Sequence, residues 1–155
     1  MTNKWTLRYM NLAKEVASWS LDPSTKVGAV VVGQHGQIVS QGFNGFPRKV
    51  KDTPERLNNR EEKYKYVVHA EMNCIYNACH NGSSLKDTTL YVYGLPVCSE
   101  CAKGVAQVGI SKVIMQHPRD IPDHWQEKLL ITKTIFKESG VRYLQYDENY
   151  EIISR

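Results

Sequence analysis

The chain has 155 residues, of which 41% are hydrophobic and 23% are charged, so we expect one globular domain covering residues 1–155 with a core of its own. No run approaches the roughly 18 apolar residues of a membrane span, and no apolar secretory signal follows the N-terminus; both observations favour a soluble, cytoplasmic protein over membrane, fibrous and disulfide-rich secreted classes. The formal net charge of +4 is compatible with an anionic ligand, but it does not by itself indicate nucleic acid.

The first part of the chain predicts a helix followed by a β-hairpin. The helix has apolar side chains at intervals of three and four residues, and the segment at residues 22–24 ends it. Two β-rich runs follow at residues 27–33 and 38–43, joined by a short polar segment that contains a glycine. The predicted apolar face of the helix comprises Trp5, Tyr9, Leu12, Val16 and Trp19.

Residues 42–65 predict a long loop, because prolines, glycines and charges of both signs are mixed there. A short helix is expected near residues 55–59. Long ordered loops in compact domains often form lids or binding loops. The charged run at residues 60–65 is interpreted either as a solvated face or as a segment that closes over a site.

The second half of the chain alternates helices with strands. Together with the N-terminal elements, this order predicts an α/β fold, a three-layer α/β/α sandwich with a mixed five-stranded sheet. The polar tail from about residue 146 is expected to be loosely ordered. The remaining predicted helices are 69–80, 99–108 and 125–139, and the remaining predicted strands are 88–93, 112–115 and 141–144.

Two short segments contain residues with metal-binding chemistry. His69 precedes Glu71 by two positions, and Cys98 and Cys101 form a Cys-x-x-Cys pair. One imidazole and two thiolates suit Zn²⁺, and each segment lies where a predicted helix begins, so the helix field favours the thiolate form. Three protein ligands leave one tetrahedral position for water, which is the catalytic arrangement. His69, Cys98 and Cys101 are therefore predicted to hold one catalytic zinc ion per chain, with Glu71 available to transfer protons.

A structural zinc knuckle and a redox pair are the alternative interpretations of the two cysteines. A structural zinc site needs a fourth protein ligand. Cys74 or Cys79 would have to supply it, and both are predicted to lie well inside a helix. These two cysteines are therefore interpreted as small buried hydrophobic residues.

The His69 and Cys98 segments resemble the H-x-E and P-C-x-x-C signature of zinc nucleobase deaminases, although Val97 stands between Pro96 and Cys98. Over nearly its whole length the chain resembles the deoxycytidylate (dCMP) deaminase family of the cytidine deaminase-like zinc superfamily. The resemblance implies a cytidine deaminase-like fold and zinc-dependent hydrolysis of dCMP to dUMP and ammonia, which supplies dUMP for thymidylate synthesis. The segments that carry it are DPSTKVGA at 22–29, GFNGFPR at 42–48, KYVVHAE at 65–71 and CAK at 101–103.

The resemblance also implies roles for individual residues. Glu71 would transfer protons to N3 of cytosine and then to the leaving amine. The backbone N–H of Ala70 would bind the pyrimidine O2, and Asn44 would hydrogen-bond the sugar. Val27 and Ala29 would line the base.

The phosphate site is left open between several cations. Arg48 is the first candidate because it ends the Asn-Gly-x-Pro-Arg segment. Lys26, Arg56 and Arg60 are the others, and arginine supplies the paired donors of a phosphate site better than lysine. His117 and His124 are interpreted as surface or loop residues, and the alternative for His117, which follows the fourth predicted strand, is a place at the border of the pocket.

The resemblance implies a homohexamer and, in some family members, dCTP and dTTP as effectors. The alternatives are the same chemistry on dCTP, modified dCMP or cytidine, a tRNA or single-strand nucleobase deaminase, and a catalytically inactive binding module. The mixture of 20 basic and 16 acidic residues speaks against a surface that follows a nucleic-acid backbone. The presence of Glu71 and all three metal ligands speaks against an inactive module, and Trp125 is interpreted as a helix anchor.

Overall fold

The computed structural model describes residues 3–155 and contains one mixed sheet of six strands in the order β2-β1-β3-β4-β5-β6. Strands β3, β4 and β5 are parallel, whereas β1 is antiparallel to both of its neighbours and β6 is antiparallel to β5. The strands are β1 (Gly28–Val32), β2 (Ile38–Phe43), β3 (Thr89–Tyr93), β4 (Lys112–Gln116), β5 (Arg142–Tyr146) and β6 (Ile152–Ser154).

Helices cover both faces of this sheet, which confirms the predicted three-layer α/β/α sandwich. Val30 and Val32 pack with the first helix on one face, whereas Ala29 and Val31 belong to the larger core on the other face. None of the helices in residues 3–155 is long and apolar enough to cross a membrane. The helices are α1 (Lys4–Ser18), α2 (Pro54–Asn58), α3 (Arg60–Tyr66), α4 (Ala70–His80), α5 (Ser99–Gln107) and α6 (Asp123–Ser139).

The sequence predicts five strands, and the structure has six because the C-terminal tail folds back on the sheet. Asp147 is buried, and its carboxylate accepts hydrogen bonds from the backbone N–H groups of Asn149 and Glu151. Arg119 also binds this carboxylate, at 2.7 Å. This turn aligns β6 with β5, and a strand of three residues is too short to show a periodic pattern.

The predicted apolar face of α1 is wrong in part, because Trp5 and Trp19 are exposed at 52% and 47%. Helix α1 lies so close to β1 that a Cβ atom on Gly28 would come within 2.0 Å of the Ala13 carbonyl oxygen. Only small side chains fit at such a contact, so Ala13 and Ala17 face the sheet in place of the aromatic residues. The buried face comprises Thr6, Met10, Ala13, Val16 and Ala17.

The segment predicted as a long loop contains α2, close to the short helix expected near residues 55–59, and a second helix, α3, which was not expected. Thr53 caps the first of them and Asn59 caps the second, each by accepting a hydrogen bond from a backbone N–H. Helix α3 lacks apolar periodicity because all seven of its residues are charged or tyrosine, and Lys63 alone is buried. This charged helix leads directly into α4 and the candidate site.

Candidate metal centre and catalytic cavity

The N-termini of α4 and α5 bring the predicted metal ligands together. His69 is the N-cap residue of α4, and Cys98 is the N-cap residue of α5. Cys101 lies in the first turn of α5, where its backbone N–H donates to Cys98 Sγ at 3.5 Å. The positive ends of two helix dipoles therefore surround the two sulfur atoms.

The three side chains form a compact donor set. His69 Nδ1 lies 3.4 Å from each of the Cys98 and Cys101 Sγ atoms, and all three ligand atoms lie within 4.8 Å of one another. Within residues 3–155, no fourth His, Cys, Asp or Glu side chain joins this group. Two sulfurs and one imidazole nitrogen fit Zn²⁺, and a three-ligand set is typical of a catalytic zinc site.

Hydrogen bonding divides the protonation of the two thiols unequally. The hydrogen bond from the Cys101 thiol, together with the bond to His69, lowers the pKa of Cys98 to about 4 although burial opposes this. The same Cys98–Cys101 hydrogen bond and burial raise the pKa of Cys101. The bond to Cys98 also raises the pKa of His69. One thiolate is therefore present at neutral pH, and metal binding would displace the proton that remains on Cys101.

Glu71 occupies the first turn of α4 beside this donor set. Its side chain is buried, and this burial raises the pKa of its carboxyl, while the nearby His69 acts in the opposite direction. A carboxyl group whose pKa is moved towards neutrality can both accept and return a proton.

A cavity of about 320 Å³ opens over His69 and Glu71. Its size falls within the range of small-molecule sites. Apolar residues from several elements form part of its wall, and polar residues from α3 and from the loop before β1 form another part. The apolar lining residues are Val27, Val67, Ala70, Leu95, Pro96, Pro122 and Trp125.

The structure brings together only some of the predicted substrate residues. Val27, Asn44 and Ala70 line the cavity with His69 and Glu71. The Asn44 amide is already engaged: its Oδ1 accepts from the Val27 N–H at 2.8 Å, and its Nδ2 donates to the Thr25 carbonyl at 2.9 Å. Asn44 therefore fixes the loop that forms one wall of the cavity.

Lys26, Ala29 and Arg48 lie outside this lining. Ala29 is fully buried in β1. Arg48 hydrogen-bonds Asn77 on α4 and lines a neighbouring cavity, which shares Asp22, Asn44 and Val67 with the first. Arg48 is therefore not part of the lining that His69 and Glu71 share.

Sequence reasoning missed part of the cavity wall. His124 and Trp125 line it from the start of α6, although they were expected at the surface and as a helix anchor. Lys63 and Tyr64 line it from α3, which the sequence does not predict as a helix. The order of the elements could have indicated the role of α6, because it follows β4, a parallel strand. Segments that follow the carboxyl ends of parallel strands border the sites of α/β proteins.

Two further expectations need correction. Cys74 is buried as predicted, but Cys79 is exposed because it lies near the C-terminal end of α4, outside the core face. His117 is also not a surface residue: it is buried, its Nδ1 donates to the Pro118 carbonyl, and its Nε2 contacts the Gln145 amide at 3.0 Å. Burial lowers the pKa of His117, and this residue lies outside the lining of the cavity.

Comparisons with known proteins agree with this geometry. The profile of the cytidine and deoxycytidylate deaminase zinc-binding region matches residues 3–117. Deoxycytidylate deaminase of Mus musculus is 36% identical over 155 residues, covering 97% of this chain and 84% of that protein. A deaminase from the luxG 3′ region of Aliivibrio fischeri is 40% identical over 142 residues, covering 91% and 92% of the two chains.

Solved structures extend the similarity to the fold. The dCMP deaminase of cyanophage S-TIM5, in complex with dCMP and dUMP, superposes with a TM-score of 0.72 at 25% identity. The match covers 94% of this chain and 98% of that one. The chain belongs to the cytidine and deoxycytidylate deaminase family.

Replacing one ligand should remove the metal. We expect Cys101→Ser to lower the zinc content of the purified protein from about one ion per chain to well below it, because two donors hold Zn²⁺ far less tightly than three. Elemental analysis of dialysed protein measures this. Cys79→Ser is the matched control and should retain zinc, since Cys79 is exposed and outside the donor set. Equal zinc content in wild type and Cys101→Ser would contradict the assignment.

Proposed function

We propose that this protein is a zinc-dependent hydrolase that converts dCMP and water to dUMP and ammonia. The observation that carries the proposal is the position of Glu71, a buried carboxyl that lines the same cavity as His69 beside the Cys98–Cys101 pair. The similarity to deoxycytidylate deaminases supports the choice of substrate.

The three-residue donor set is suited to activating water. A zinc ion held by His69, Cys98 and Cys101 would supply the Lewis acidity that makes water a nucleophile at neutral pH. Because two sulfurs and a ring nitrogen complete the protein's share of the ligands, the Glu71 carboxylate is left for proton transfer.

Glu71 carries the protons of the reaction. It accepts a proton from the attacking water and delivers it to N3 of cytosine, which makes C4 electrophilic. The water oxygen bonds to C4 as a hydroxyl group, and Glu71 then takes the remaining proton from this hydroxyl and transfers it to the exocyclic amine. The C4–N bond breaks and ammonia leaves, so the carboxyl group returns to its starting state. Burial supports this role, because a raised pKa stabilises the protonated form that appears in mid-reaction.

The surrounding wall orients the base. Ala70 is the first residue of α4, and the first N–H groups of a helix have no acceptor within the helix, so this N–H is available to the pyrimidine O2. Val27 and Leu95 offer apolar contacts on the same cavity. Asn44 holds the loop that forms one wall of the cavity, through its hydrogen bonds to Val27 and Thr25. The proposal also includes a contact between Asn44 and the sugar of the substrate.

A cytoplasmic location, a homo-oligomeric assembly and control by dCTP or dTTP complete the proposal. Their support is the resemblance to the family. Exposed apolar side chains at Trp19 and Leu21, 47% and 62% exposed, are compatible with burial between subunits.

A substrate panel tests the proposal directly. Zinc-loaded protein is assayed for ammonia release from dCMP, dCTP, CMP, deoxycytidine and a tRNA anticodon stem-loop. We expect kcat/KM for dCMP to exceed every other value by at least about tenfold, because the chain is similar to deoxycytidylate deaminases. A preference for the stem-loop would contradict the nucleotide assignment and favour nucleic-acid deamination.

Glu71→Gln isolates the proton-transfer step. The amide is similar in size but cannot accept the proton, so we expect kcat for dCMP to fall by at least about 100-fold while zinc content and far-UV circular dichroism stay unchanged. Glu100→Gln is the control, because Glu100 also lies in the first turn of a helix but is exposed and paired with Lys103. Near-normal turnover by Glu71→Gln would rule out the carboxyl group as the proton carrier.

A further inference from the structure

Helix α3 presents two cations to the catalytic cavity. Arg60 and Lys63 are three residues apart, which places them on one face of the helix, and both line the cavity that contains His69 and Glu71. The acidic residue Glu62 instead pairs with Lys65 in an exposed contact. The face of α3 that borders the cavity is therefore positively charged.

Lys63 anchors this face. Its ammonium is buried and lies 3.1 Å from Asp22 Oδ1, and the same oxygen accepts the backbone N–H groups of Ser24 and Thr25. Asp22, Ser24 and Thr25 line the cavity as well. The ion pair thus joins α3 to the loop before β1, and it neutralises the charge of Asp22 within the cavity wall.

Arg60 remains available to a ligand. Its Nε donates to the Tyr64 hydroxyl at 3.2 Å, and its guanidinium lies 5.4 Å from the centre of the Tyr64 ring. No carboxylate of residues 3–155 forms an ion pair with it. Stacking on tyrosine orients the planar guanidinium, and the Arg60 side chain is part of the cavity lining.

The other arginines considered from the sequence are engaged elsewhere. Arg56 donates to the Lys51 carbonyl and stacks on the Tyr66 ring. Arg48 binds Asn77 and lines the neighbouring cavity. Of these three arginines, Arg60 alone lines the cavity of the metal-binding residues.

We propose that Arg60, held in place by the Lys63–Asp22 anchor of α3, binds the 5′-phosphate of the substrate and makes the enzyme select nucleotides over nucleosides. The inference rests on the proposed function, because it takes the cytosine ring to lie at Glu71. A phosphate dianion then meets a guanidinium that has no carboxylate partner, and Arg–phosphate hydrogen bonds are among the strongest that proteins form. The residue is a specificity determinant for the phosphate, and the chemical step at the base does not need it.

Binding of the product and its nucleoside tests this role without relying on turnover. Calorimetric titrations of zinc-loaded protein with dUMP and with deoxyuridine compare wild type with Arg60→Gln, Arg48→Gln and Lys65→Gln. We expect Arg60→Gln to weaken dUMP binding by at least about tenfold, and to leave deoxyuridine binding within about twofold. Lys65→Gln removes the same charge from the same helix outside the cavity lining, and it should leave both affinities unchanged.

Kinetics provide the second measurement. Arg60→Gln should raise KM for dCMP and leave kcat/KM for deoxycytidine unchanged. If Arg48→Gln, and not Arg60→Gln, weakened the binding of dUMP but not of deoxyuridine, the inference would be overturned. The phosphate site would then lie at the segment after β2. Equal affinity of wild type for dUMP and deoxyuridine would also overturn the inference, while ammonia release from deoxycytidine would leave the proposed deamination standing. If no cytosine compound were turned over, but Arg60→Gln still weakened the binding of dUMP and not of deoxyuridine, only the proposed function would be rejected.

Discussion

His69, Cys98 and Cys101 can meet within 4.8 Å only because two helices begin at the same place, and the rest of the site depends on that convergence. The N-terminal ends of α4 and α5 concentrate positive potential around two buried sulfurs, and hydrogen bonding leaves Cys98 ionised at neutral pH with its pKa lowered to about 4. Two buried sulfurs beside an imidazole nitrogen form a donor set that suits Zn²⁺. Because three other side chains form the protein's donor set, Glu71 is not needed as a metal ligand. Its carboxyl group lines the cavity and is available for proton transfer.

One wall of the cavity is held together by contacts of Asp22 and Asn44. Asp22 receives Lys63 from α3 and two backbone N–H groups of its own loop, while Asn44 from the end of β2 holds the same loop at Val27. Three segments that are distant in sequence are thereby joined by buried polar contacts at one wall. Buried polar groups are costly unless they are paired, so these contacts specify one arrangement of the wall. Arg60 gains its position from this arrangement.

The sequence predicts the metal ligands and the layered α/β fold well, because ligand chemistry and hydrophobic periodicity are local properties. It fails where tertiary contacts decide the outcome. The aromatic face of α1 is not buried, since the approach to Gly28 admits only small residues. Helix α3 has no apolar stripe and is held by the Lys63–Asp22 pair, a contact between residues 41 positions apart. Likewise, Trp125 reaches the cavity through the position of α6 after β4, which no local pattern reveals.

The number of sulfur ligands on the bound metal tests the central claim most directly. X-ray absorption spectroscopy at the zinc edge of wild-type protein reports this number from the Zn–S distance of about 2.3 Å. We predict two sulfurs, one imidazole nitrogen and one light atom from solvent, which is the open arrangement that hydrolysis requires. Three or four sulfurs would mean that Cys74 or Cys79 joins the site, and the metal would then be structural.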